Sequence, residues 1–117
     1  MSVPADIAGV NAPYDSPALR SHVAGLDFQN PILLAAGTAA YGRELAEVML
    51  LDRLGGRVTK AVSLEPRDGA PAPRVSEFDG GMINAVGLAN PGVDAVRATE
   101  LPWLAAELRH AKVIVNV

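Results

Sequence analysis

The sequence predicts an α/β fold built on a parallel sheet, and three observations predict it. Apolar runs of strand length occur at 32–36, 57–62 and 112–117. Apolar residues at helical spacing, Leu45, Val48 and Met49, with Leu54 at the end of the segment, lie between the first two runs. Strand, helix and strand in that order make a βαβ unit, which implies parallel pairing. The third run, rich in Val and Ile, asks for neighbours on both edges and cover on both faces. At 117 residues, half of them hydrophobic, the chain holds one domain at most. It is expected to be the N-terminal portion of a larger α/β protein.

Taken in order, residues 1–17 are expected to be a flexible leader, broken by Pro4, Pro13 and Pro17. The domain portion is expected at 18–117. Residues 19–28 alternate on either side of Ala24-Gly25, which predicts a small hairpin. Asn30-Pro31 signals a turn, and the run 32–36, closed by Gly37, reads as a strand buried on both faces. A helix is predicted over 43–54, stopped by Gly55-Gly56. The second strand follows at 57–62. Residues 65–74 are too rich in proline for a regular element, and 75–78 with 82–84 can pair about Asp79-Gly80-Gly81. So long an excursion in a compact domain is usually functional. One helix is predicted around 94–99 and another over 102–110, with Pro102 in the first turn of the latter. The third strand is 112–117.

Composition removes whole classes of function. A net charge of −3 and a pI of about 5.2 give no overall basic footprint for nucleic acid. The absence of cysteine excludes disulfides, Cys-ligated metal and a Cys nucleophile within these residues. His22 and His110 are too far apart in sequence to suggest a metal site, and each reads as a surface or helix-end residue. No apolar run approaches the ~20 residues of a membrane helix. The start lacks a basic segment followed by an apolar one, so the expectation is a cytoplasmic protein.

Chemistry is expected where strands end in small or polar residues: Ala35-Ala36-Gly37, Thr59-Lys60-Ala61 and Val115-Asn116-Val117. In a parallel barrel these strand ends would share one mouth. Ala36 and Gly37 would let a flat ligand approach the backbone, and Lys60 would supply positive charge. Close packing and a solvated strand end explain the same residues equally well. Asn84 and Asn90 suit a loop that hydrogen-bonds a planar polar ligand, although composition alone favours a plain turn at Asn90-Pro91-Gly92. Glu65, Arg67, Asp68 and Arg74 read as solvated or locally paired charges. Trp103 reads as a packing anchor.

Three blocks carry a resemblance: Asn30-Pro31-Ile32-Leu33-Leu34-Ala35-Ala36-Gly37; Thr59-Lys60-Ala61 running into Glu65-Pro66-Arg67-x-Gly69-x-Pro71-x-Pro73-Arg74; and Gly81-Met82-Ile83-Asn84-Ala85-Val86-Gly87-Leu88-x-Asn90-Pro91-Gly92. In this order, from Leu19 to Val117, the sequence resembles dihydroorotate dehydrogenase, class 1, and is most similar to the NAD-linked B type. The resemblance implies an N-terminal β-hairpin and about three of the eight strands of a (β/α)8 TIM barrel. It implies FMN-dependent oxidation of dihydroorotate to orotate in de novo pyrimidine biosynthesis. Ala36, Lys60, Ala61 and Asn116 would contact FMN. Lys60, Asn84, Ala85, Val86, Gly87 and Leu88 would contact the substrate. The family's catalytic cysteine would lie beyond Val117, so these 117 residues alone are expected to be inactive. The resemblance also implies an electron-transfer subunit with FAD and an iron–sulfur cluster, and an oligomer. Ala70 departs from the asparagine usual in the proline loop. The competing readings are another FMN barrel of the dihydropyrimidine dehydrogenase type and a non-catalytic binding protein derived from such a barrel.

Overall fold

The computed structural model describes residues 16–117; the expected leader lies almost wholly outside them. Strands β1 (Ser21–Val23) and β2 (Leu26–Phe28) form the expected antiparallel hairpin. Ala24 and Gly25, at φ 51° and 79°, form a turn that twists with its strands. Phe28 is buried beneath it. The linker that follows is pinned by amides. Gln29 Nε2 donates to the carbonyls of Asp52 and Leu54, while Asn30 Oδ1 accepts from the N–H groups of Ile32 and Gly55.

Strand β3 is only Leu33–Leu34, shorter than the expected run 32–36. Nor is it buried on both faces, since Ile32 and Leu33 are 58% and 44% exposed. Leu34 packs on the helices; the alternate face is uncovered. Gly37 does not close the strand but lies within a helical turn, α1 (Ala36–Ala39). The helix expected over 43–54 is likewise broken into α2 (Arg43–Ala46) and a 3-10 turn at Leu51–Arg53. Val48, placed on its apolar face by the spacing, is 79% exposed. Gly55 and Gly56 do more than stop a helix: Gly56 opens strand β4 (Gly56–Val58), and a Cβ on Gly55 would overlap the Asn30 carbonyl oxygen.

The break in this helix has a visible cause in Asp52. Its Oδ1 accepts the N–H groups of Arg109, His110 and Ala111 at 2.8, 2.8 and 2.9 Å. Its Oδ2 lies 2.7 Å from His110 Nδ1. Burial pushes the Asp52 carboxyl up, but these hydrogen bonds outweigh burial and hold it below its ordinary value of 3.8. A depressed folded-state value means stability that is present above the unfolded value and lost as pH falls through the folded one. Asp52→Asn in the full protein is therefore expected to lower stability at neutral pH and to flatten the acid-side decline below about pH 5. Urea midpoints measured from pH 7 to pH 3 check this; parallel profiles for the two proteins would refute it.

Strand β4 (Gly56–Val58) lies between β3 and β7 (Lys112–Ile114), parallel to both. The predicted βαβ order and parallel sheet are thus present. Beyond these short ladders the chains stay bonded: Thr59 N–H donates to the Ile114 carbonyl and Val62 N–H to that of Asn116. The two helices expected at 94–99 and 102–110 are one continuous rod, α3 (Val93–Ala95), a π segment (Val96–Glu100) and α4 (Leu101–Glu107). Pro102 explains both. It has no N–H for the Ala98 carbonyl, and the ladder widens ahead of it, so Leu101 N–H bonds Val96 instead. The rod ends at Glu107 because Leu108 is extended. Leu51, Leu104, Leu108 and Ala111 form the core, with Leu34, Met49, Trp103 and Val113 packed against them. Trp103 is the expected anchor, with the Arg43 guanidinium 4.6 Å above its ring.

The excursion between β4 and the rod is irregular where proline predicts it. It then forms the expected hairpin, β5 (Val75–Phe78) with β6 (Gly81–Asn84).

Candidate functional site

The three predicted strand-end segments lie at the C-terminal end of the sheet. The register pairs Val58 with Ile114; two residues further, in the same alternation, come Lys60 and Asn116. Asn116 N–H donates to Thr59 Oγ1 at 3.2 Å, and Lys60 N–H to the Ala40 carbonyl at 3.0 Å. Helical turn α1 is therefore tied directly to the strand end that carries Lys60. Ala36, Lys60, Ala61 and Asn116 are all half-buried. Among the described residues neither the Lys60 ammonium nor the Asn116 amide has a side-chain partner. On the ledge beside them, a Cβ built at Gly37 would meet nothing within 4 Å. The edge thus offers one cation, one amide and open space above small residues.

The loop 84–88 is built differently. Asn84 closes β6 opposite Val75 and is exposed. Ala85 N–H donates to the Arg74 carbonyl, and the Val86 carbonyl accepts from Ala70 N–H. Gly87 and Leu88 have φ of 74° and 58°, and a Cβ on Gly87 would crowd the Ala70 nitrogen at 2.5 Å. These bonds run to the proline loop, which Arg74 braces by donating to the carbonyls of Ala70 and Asp68 at 2.6 and 3.0 Å. Ala85, Val86, Gly87, Leu88 and the Asn84 amide are left at the surface.

Asn90 is not a ligand amide. It is buried, its Oδ1 accepts the N–H groups of Ser63 and Gly92, and its Nδ2 donates to the Leu88 carbonyl. The turn reading of Asn90-Pro91-Gly92 is the right one. This amide joins the base of the loop to Ser63, just past the Lys60 strand end. Arg57, whose Nη2 donates to the Ala39 and Ala40 carbonyls beside this edge, had no signal in the sequence, because its partners are distant along the chain.

The other candidates settle as structural. His22 is exposed and bonds Asp27, and His110 bonds Asp52. Arg74 serves backbone carbonyls rather than an acid–base cluster. A cavity of about 600 Å3 lined by Arg20, Phe28, Arg109, His110 and Lys112 lies by the hairpin, at the opposite end of the strands.

Comparison with known proteins bears on the same residues. Residues 18–117 match the family described as dihydroorotate dehydrogenase. The catalytic subunit of dihydroorotate dehydrogenase B (NAD(+)) from Streptococcus pneumoniae is 48% identical over 99 residues, 85% of this chain and 32% of that protein. Dihydroorotate dehydrogenase A (fumarate) from Lactiplantibacillus plantarum is 44% identical over 99 residues, again 85% and 32%. The crystal structure of ligand-free DHODH from Eimeria tenella superposes with a TM-score of 0.62 at 27% identity, covering 97% of this chain and 32% of that one. The chain therefore spans about a third of the length of these relatives. With the family match running from the first hairpin through the strand-end edge and the Asn84 loop to the last strand, the chain belongs to the dihydroorotate dehydrogenase family.

Proposed function

We propose that these residues are the N-terminal third of an FMN-dependent dihydroorotate dehydrogenase that oxidises dihydroorotate to orotate in pyrimidine biosynthesis. The observation that carries this reading is the strand-end edge. Lys60 and Asn116, just past the ends of adjacent strands, have side chains that serve nothing else among the described residues, beside an open ledge at Ala36 and Gly37. These residues fit a flavin. A planar ring needs a flat approach to backbone, and a cation and an amide at its polar edge hold it in register. FMN, when bound, supplies the hydride acceptor.

Ala36, with only a methyl group, would give the ring a low floor, and Ala61 would extend that floor. Lys60 holds its ammonium where both the ring and an anionic substrate can reach it. Asn116 offers a donor and an acceptor from the third strand. Asn84, Ala85, Val86, Gly87 and Leu88 form the lip over the substrate, with the Asn84 amide matched to the amide-rich ring of orotate.

The uncovered face of β3, β4 and β7 is the inner face of a TIM barrel closed by further strands. The proton acceptor is a cysteine outside these residues. The domain portion is 18–117. The B-type relatives suggest an NAD-linked protein served by an electron-transfer subunit carrying FAD and an iron–sulfur cluster. The enzyme is an oligomer in the cytoplasm.

The test is Asn84→Ala in the full protein. An unpaired ligand amide costs roughly 1–3 kcal/mol, so orotate affinity should fall about tenfold or more, with FMN content retained. An orotate titration followed by flavin absorbance reads both quantities. Normal orotate affinity with lost flavin would reverse the assigned roles.

A further inference from the structure

Arg57 is the largest fully buried side chain among the described residues, 1% exposed on the central strand of the sheet. Such a position normally takes an aliphatic residue. No carboxylate among the described residues pairs with it, and its Nε and Nη1 have no hydrogen-bond partner. Burial alone draws its pKa down. An uncompensated guanidinium in a core is unfavourable, so its two remaining bonds are informative. Nη2 donates to the carbonyls of Ala39 at 3.2 Å and Ala40 at 2.8 Å.

Those carbonyls end turn α1. Ala40 has φ 41° and ψ −117°, a region that glycine occupies easily and alanine does not. Its carbonyl also receives the Lys60 N–H at 3.0 Å. One strained carbonyl is thus held from two sides, by the buried cation and by the strand end that carries Lys60. Gly42 completes the arrangement, since a Cβ there would overlap the guanidinium.

We propose that Arg57 is a positioning residue for the cofactor edge: by pinning the Ala39 and Ala40 carbonyls it sets the Ala36–Gly37 ledge against Lys60. This rests on the flavin reading above. Arg57 itself lies beneath the turn and touches no ligand.

The test uses the full protein and the variants R57M, R57K and R57M/A40G, with FMN dissociation constants measured by fluorescence after resolving the flavin. R57M keeps the bulk and loses the donors. It is expected to bind FMN about tenfold more weakly, the scale of a charge-assisted hydrogen bond, and to show a shifted flavin absorbance band. R57K should fall between R57M and the parent. Ala40→Gly relaxes the conformation that Arg57 holds, so R57M/A40G should recover part of the lost affinity. A role in stability alone would lower the melting temperature of R57M while its FMN affinity, measured well below that temperature, stayed at the parent value; that result overturns the proposal. Should R57M not fold, R57K and R57M/A40G carry the comparison, and parent-like affinity in both overturns it equally. A parent protein that binds no FMN would instead defeat the underlying flavin reading.

Discussion

Lys60→Ala in the full protein is expected to slow flavin reduction by dihydroorotate roughly 30- to 800-fold, equivalent to the ~2–4 kcal/mol lost when one preorganised donor is removed from a site of developing charge. Folding should barely change, because Lys60 is half-buried and its side chain makes no ion pair or hydrogen bond among the described residues. What ties this position into the fold is its backbone N–H on the Ala40 carbonyl, and alanine keeps that bond. The effect should therefore fall on chemistry. Stopped-flow reduction under anaerobic conditions measures it, with a melting curve as the control. An unchanged reduction rate would remove Lys60 from the site. A large fall in melting temperature would show instead that the ammonium stabilises the fold.

Short-range chemistry in this chain is legible in the sequence; long-range pinning is not. Ala24-Gly25 between alternating stretches specifies its hairpin locally, and the turn forms where it is expected. The three apolar runs specify strands, and their parallel order follows from the segment between them. Periodicity misleads where a distant partner takes over. The spacing of Leu45, Val48 and Met49 fits one helix, but Asp52 is held by the amides of residues 109–111 and the helix gives way to a 3-10 turn. Pro102 misleads in the other direction. It reads as a helix start, yet the rod runs through it by widening one turn.

The site divides along the same line. Lys60 and Asn116 are legible because each ends an apolar run, and parallel pairing brings strand ends together. Arg57 is not, because it sits inside a strand and its role depends on a turn 17 residues away. The two asparagines of the loop are the sharpest case. They are the same residue type, six positions apart, beside similar glycines, and only burial separates them. Residue type alone cannot say which amide faces a ligand and which faces the backbone.

That difference makes Asn90→Ala the largest expected change in stability, about 3–4 kcal/mol in the full protein. The amide is buried and serves three backbone groups, the N–H groups of Ser63 and Gly92 and the Leu88 carbonyl at 2.7 Å. Each buried group left unpaired costs about 1–3 kcal/mol, reduced where water can enter the space vacated. Asn90→Asp sharpens the test, since it keeps the acceptor for Ser63 and Gly92 but turns a carboxylate oxygen toward the Leu88 carbonyl. It should recover little of the loss at neutral pH and more as pH falls and the carboxyl can donate. Asn84→Ala, by contrast, should leave stability within about 0.5 kcal/mol, as for other exposed positions. Urea unfolding of the three variants separates the two roles. Equal losses at 84 and 90 would mean that the loop is held as one unit, and that its exposed amide is not reserved for a ligand.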